Sequence, residues 1–159
     1  MYRNGTDNNL QRKDKMSKKY VVACDGSSAS GRAVKVAVEQ AKLSGASLLL
    51  VHVLEWSPYS FLTPEELEER HKRRTEELKR AQTHLVDPLI ESLSGEGVEA
   101  SAIIRYGHVT QTLAEIADKE GAAQIFIGRT GESALTKLVF GSVAASMAQV
   151  SPVPCTIVP

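Results

Sequence analysis

Four residues in the last third of the chain have types and spacing suited to holding an anion. Gly128 and Gly131 are separated by two residues, and nine more lead to Gly141 with the hydroxyl of Ser142 beside it. Glycine lets the backbone reach positive φ and lets a ligand approach the main chain closely. The start of a helix offers unpaired N–H groups to negative charge. The stretch Gln124 to Ser142 reads as a short buried strand, Gln124 to Ile127, then a glycine loop, then a helical run from Val143 to Val150. Those are the parts of a phosphate cradle. Arg129 and Lys137 lie in the loop, where each is as consistent with a solvated charge as with a phosphate contact.

The elements that must position such a cradle follow from periodicity. Tyr20 to Cys24 is a β-branched apolar run ending in Asp25-Gly26-Ser27-Ser28, a turn-and-cap cluster. Ala33, Val34, Ala37, Val38 and Ala41 then form a helical stripe that stops at Gly45. Ser47 to Leu54 is apolar on both faces, as a covered parallel strand should be. An aromatic loop with Trp56, Pro58, Tyr59 and Phe61 follows, and Thr63-Pro64-Glu65-Glu66 predicts a capping box opening a charged helix. Glu66/Arg70, Glu68/Lys72, Glu69/Arg73 and Glu76/Arg80 are spaced as i,i+4 pairs on a solvated face. From Leu78 through Ala81, Leu85, Leu89 and Leu93 the stripe turns apolar, with a kink expected at Pro88. Val98 to Tyr106 reads as a third strand and Val109 to Lys119 as a helix with Leu113, Ile116 and Ala117 inward. Val153 to Val158 follows Pro152 and is interrupted by Pro154, so it suits a sheet edge, where missing N–H donors are tolerated. The alternation predicts an α/β fold: an open five-stranded parallel sheet with helices on both faces, Rossmann-like. In such sheets ligands sit beyond the carboxyl ends of the strands. Asp25, the main chain around Val53, and Gly128 all fall there. The Asp25 carboxylate suits ribose hydroxyls; taken alone such a residue more often serves as a helix cap or turn, and its position relative to the glycine loop favours the ligand role.

Bulk properties bound the rest. At 159 residues the chain fits one domain, and 19 basic against 19 acidic residues leave no basic footprint for duplex nucleic acid. Met1 to Lys18 is almost wholly polar and reads as a flexible tail ahead of a domain over 19–159. No apolar run reaches the length of a membrane span and the N-terminus lacks a signal-peptide core, so a soluble, cytoplasmic protein is expected. Cys24 and Cys155 show no metal or redox spacing and read as reduced, buried side chains. Four histidines, His52, His71, His84 and His108, show no paired metal spacing, and His52 reads as a satisfied sheet residue. GxxxxGK[ST], a GxGxxG after a strand, HExxH and GxSxG are all absent, so no catalytic set is nominated and no metal site is expected.

Gly128-Arg129-Thr130-Gly131, nine residues, then Gly141-Ser142, together with VVACDGS at the first strand and LLLVHV at the second, resembles the universal stress protein family in its nucleotide-binding branch. The resemblance covers about Lys19 to Val158. It implies strand order 3-2-1-4-5, which would separate Cys24 from Cys155, and a homodimer through Val153 to Val158. It implies an adenine nucleotide, ATP or AMP, with Mg2+ as an optional companion of the phosphates. Asp25 would hold the ribose, the Val53 main chain the adenine, and Ile127, Gly128, Gly131, Gly141, Ser142 and Val143 the phosphate region. Arg129 stays a candidate contact from its place in the loop. The implied activity is non-enzymatic regulation in response to stress or energy state through a protein partner still to be identified. The competing reading is a slow ATPase or an autophosphorylating protein, with Ser142 or Thr130 as acceptor.

Overall fold

The computed structural model describes residues 18–55, 63–131 and 141–159. Residues 1–17 of the expected tail, the aromatic loop with Trp56, Pro58, Tyr59 and Phe61, and Lys137 lie outside the described residues. The elements run β1 (Lys19–Ala23), α1 (Ser28–Ser44), β2 (Ser47–Glu55), α2 (Pro64–Ala81), a π-helical turn (Gln82–Val86), α3 (Asp87–Leu93), β3 (Ala100–Gly107), α4 (Val109–Lys119), β4 (Gln124–Gly128), α5 (Ser142–Val150) and β5 (Cys155–Val158). All strand pairings are parallel, and the sheet order is β3-β2-β1-β4-β5. The alternating pattern of strands and helices is therefore realised as one open sheet.

Each face of the sheet is sealed, and on α1, α3 and α4 the residues that seal it are those the periodicity marks as inward. On one face Val34, Ala37, Val38 and Ala41 of α1 and Leu93 of α3 pack on Tyr20, Val22, Leu48, Leu50 and Phe126. On the other, Leu113, Ile116 and Ala117 of α4 and Ala144 and Met147 of α5 pack on Val21, Leu49, Val51, Ile125 and Ile127. The central strands β1 and β4 thus bury side chains on both faces, which is why their sequences read as unbroken apolar runs. Ser27 caps α1 by accepting the Ser30 N–H, and Gly45 ends it in the left-handed region at φ 71°, where glycine has no Cβ penalty.

The expected capping box opens α2, with Thr63 Oγ1 accepting the Glu66 N–H and Glu66 Oε2 accepting the Thr63 N–H at 2.7 Å. Glu68–Lys72 and Glu69–Arg73 close as i,i+4 pairs at 3.6 and 3.4 Å. No residue of α2 is buried. Its charged half is nonetheless held to the sheet at Tyr106 of β3, whose hydroxyl donates to Glu77 Oε2 at 2.7 Å, with the Arg74 carbonyl at 3.1 Å. The Arg74 guanidinium lies over the same ring, 4.7 Å from its centroid. The expected kink before Pro88 takes the form of the π turn: the Asp87 N–H donates to Gln82 O, five residues back. Widening the turn there accommodates a proline, which brings a bulky ring and no N–H. β3 and β5 begin later than expected, at Ala100 and Cys155. At β5 the reason is Pro154, which can enter the sheet only through its carbonyl, accepting the Ile125 N–H. β5 lies at the sheet edge beside β4, and β4 separates the free thiols Cys24 and Cys155.

Partial burial and then the Glu77 carboxylate push the Tyr106 phenol up to about 12, from an ordinary 10. A raised phenol favours the folded state below pH 10 and loses that advantage as pH climbs through the window from 10 to 12. The melting temperature of wild type should therefore fall towards that of Tyr106→Phe across this window, in thermal melts followed by circular dichroism. Parallel curves for the two proteins would contradict the assignment.

Candidate functional site

The site grows out of the point where the ladder around β1 stops. Ser47 N–H donates to Lys18 O and Leu48 N–H to Glu99 O, so odd-numbered residues of β2 turn their main chain towards β1 and even-numbered ones towards β3. The last bond on the β1 side runs from Cys24 N–H to Val51 O, and the β1–β2 register ends at Ala23 and Val51. Two residues on, Val53 still directs its N–H and C=O to that side, into the space beyond the end of β1. Among the described residues those groups have no main-chain partner there. A free N–H beside a free C=O matches the acceptor and donor along the edge of a purine.

Asp25 stands at the floor of that gap. Its Oδ1 accepts the Ser27 N–H at 2.9 Å, an Asx turn that feeds α1 through the Ser27 cap. Ser30 hydrogen-bonds back to the same turn, its hydroxyl donating to Ser27 O and lying 3.4 Å from the Asp25 N–H. Gly26 takes φ 82°, and a methyl added to it would stand 3.6 Å from Leu85 of the π turn. The turn role open to Asp25 in the sequence is therefore real. The carboxylate also faces the glycine loop: a methyl on Gly131 would lie 3.2 Å from Asp25 Oδ2. Residues 106 positions apart are brought side by side.

Gly128 makes that meeting possible. A methyl there would stand 2.8 Å from the Ala29 carbonyl carbon, 2.9 Å from its Cβ and 2.9 Å from Ser30 N, so the first turn of α1 rests directly on the end of β4. Beyond it Arg129 N–H donates to Val158 O at 2.7 Å and Arg129 O accepts the Gly141 N–H at 2.9 Å. The nine-residue spacer thus leaves and returns at one place, putting the start of α5 beside the loop after β4. A methyl on Gly141 would crowd the Arg129 carbonyl at 3.1 Å. Gly141 is the N-cap of α5 and no side chain caps that helix among the described residues, so the N–H groups of Ser142 and Val143 in its first turn are left for another acceptor. Ser142 is exposed and Val143 half-buried at that end. Ile127 is buried in the core, so only its main chain is available to a ligand. Arg129 is half-buried at the mouth of the loop.

Sequence reasoning missed two features. His52, expected to be a satisfied sheet residue, puts Nδ1 2.6 Å from Cys24 O, directly before Asp25. Leu85 of the π turn stands on the side of Gly26 where a Cβ would project, a placement visible in no local pattern. Cys24 is an unsuitable nucleophile: burial, with the Asp25 charge behind it, pushes its thiol up to about 12. Among the described residues no three His, Cys, Asp or Glu side chains gather as metal ligands, and no helix is long and apolar enough to cross a membrane.

A carboxylate, a strand edge whose main-chain groups leave the ladder and a helix start without a side-chain cap among the described residues gather at the carboxyl ends of a parallel sheet, at the reversal of strand order of an open α/β protein. The chain belongs to the universal stress protein family, whose family model matches residues 16–159. A curated relative, universal stress protein YxiE of Bacillus subtilis, is 30% identical over 156 residues, covering 90% of this chain and 99% of the relative. The solved universal stress protein UspA from Lactobacillus plantarum superposes with TM-score 0.76 at 20% identity, over 89% of this chain and 97% of that one. A universal stress protein from Archaeoglobus fulgidus, solved in complex with dAMP, superposes with TM-score 0.61 at 20% identity, over 90% and 98%. At this identity the two solved structures speak for the fold.

The close seat of α1 on β4 gives a direct test. Gly128→Ala should cost about 1–3 kcal/mol through overpacking against main chain, or about 2–12 °C in melting temperature for a domain of this size. Among the described residues Gly131→Ala meets a carboxylate oxygen alone, at 3.2 Å, and should shift it far less. A Gly128→Ala protein melting within a degree of wild type would show that α1 is not so constrained.

Proposed function

We propose that this protein binds an adenine nucleotide, ATP or AMP, in the gap between the ends of β1, β2 and β4, and acts by binding rather than by turnover. The observation that carries the reading is the convergence of Asp25 with Gly131 across the end of β1, beside the uncapped start of α5. In this reading Asp25 accepts hydrogen bonds from ribose hydroxyls, and the Val53 main chain pairs with the adenine edge. Main-chain N–H groups from Gly128 to Gly131 and from Gly141 to Val143 receive the phosphates. Ile127 contributes through its backbone, Arg129 supplies the nearest described positive charge on the loop, and Mg2+ accompanies the phosphates when ATP is bound. The dAMP complex of the Archaeoglobus fulgidus relative supports an adenine nucleotide as the ligand class. Binding is favoured over catalysis because the acidic group at the site is committed to the turn through Ser27 and the adjacent thiol is held protonated.

The biological role in this proposal is that of a cytoplasmic sensor of stress or energy state. It works as a homodimer through the β5 edge and passes nucleotide occupancy to a protein partner. Calorimetric titration with ATP and AMP should give saturable heat. Asp25→Asn, which keeps an oxygen for the Ser27 N–H but removes the charge, should weaken binding about tenfold, for about 1.4 kcal/mol. Gly131→Trp should abolish binding. Absence of heat and of any thermal shift for both nucleotides at millimolar concentration would end the proposal. Labelled γ-phosphate followed over hours should show turnover no faster than buffer and no labelled protein.

A further inference from the structure

His52 lies on the half-buried end of β2, on the sheet face that carries Leu48 and Leu50, and its Nδ1 lies 2.6 Å from Cys24 O. A carbonyl oxygen can only accept, so Nδ1 carries the proton and donates. That bond has a consequence for the ladder. In a regular parallel pairing the strand residue whose N–H bonds to Val51 O would offer its carbonyl to the Val53 N–H. Cys24 makes the first of these bonds, at 2.8 Å, and not the second: the register ends at Ala23 and Val51. Its carbonyl goes to the imidazole instead.

We infer that His52 is a positioning residue for the ligand gap: by taking the Cys24 carbonyl out of the β1–β2 ladder it keeps the Val53 N–H unpaired and fixes the turn that presents Asp25. The inference rests on the nucleotide reading above for its functional meaning. Its structural content stands on its own. In the same turn the Ser27 N–H holds Asp25 Oδ1 at 2.9 Å, and His52 holds the carbonyl of the residue before it. One ring thereby links the proposed base and sugar contacts, since His52 adjoins Val53 in sequence and Cys24 adjoins Asp25.

Two amide substitutions separate this role from simple packing. His52→Asn places an N–H at the position of Nδ1, whereas His52→Gln places it at that of Nε2 while filling more of the ring's volume. In His52→Gln the Cys24 carbonyl should swing back to the Val53 N–H, and amide exchange at Val53, followed by NMR, should slow at least tenfold. Loss of packing alone would speed that exchange. His52→Asn should stay within about threefold of wild type. Calorimetry with ATP and AMP should show His52→Gln binding at least tenfold more weakly, with His52→Asn close to wild type. Val53 exchange that is unchanged or faster in His52→Gln, or alike in the two variants, overturns the inference. If either variant fails to fold, the 15N shifts of the wild-type imidazole decide: the neutral ring must carry its proton on Nδ1, and an Nε2–H tautomer overturns the assignment. Should wild type bind neither nucleotide, the functional proposal fails, while the exchange and tautomer measurements still decide the role of His52 in the turn.

Discussion

One absent methyl group governs the geometry of this molecule. At Gly128 the backbone of β4 comes so close to Ala29 and Ser30 that a Cβ would stand within 2.9 Å of three atoms of the α1 first turn. Because α1 can settle there, its Ser27 cap and the Asx turn before it lie against the loop that leaves β4. The Asp25 carboxylate then meets Gly131, and the Arg129 main chain is free to clasp β5 on one side and the start of α5 on the other. The spacing of the glycines thus has a packing cause that operates whether or not a ligand is present.

The site itself is made where regular pairing is interrupted. A parallel sheet satisfies its main-chain groups by continuing, and every buried interruption costs free energy unless another partner is supplied. Here the interruption between β1 and β2 is supported by an imidazole on Cys24 and a hydroxyl network through Ser27 and Ser30. The π turn is an irregularity in an otherwise continuous helix, accommodating Pro88, and it connects the half of the helix packed on the sheet to a charged half that Tyr106 ties to β3. The irregular features therefore gather on the side of the molecule where polar main chain is exposed to a ligand, and the regular ones maintain the core beneath.

Family membership and chemistry point the same way. The chain belongs to the universal stress protein family, and the proposed site gathers neutral N–H groups, one carboxylate and a loop arginine. What acceleration of phosphoryl transfer would further require is a positioned base or nucleophile with a suitable pKa. The nearest thiol is driven the wrong way by burial and by its acidic neighbour.

The element order, the capping of α1 and α2, the buried faces of α1 and α4 and the parallel character of the sheet were legible in the chain, because they follow from periodicity and cap chemistry over a few residues. The sequence also marked Asp25, Val53 and the glycines as lying at strand ends, and motif resemblance added the strand order. Other features belonged to the tertiary structure. The π turn in place of a plain kink, the late start of β5 behind Pro154, the placement of Leu85 beside Gly26 and the capture of Cys24 O by His52 all depend on which distant residues come to share a few ångströms. Local patterns state what a segment prefers. Whether a carbonyl continues a ladder or turns to a neighbouring ring is settled only when both partners have been brought to the same place.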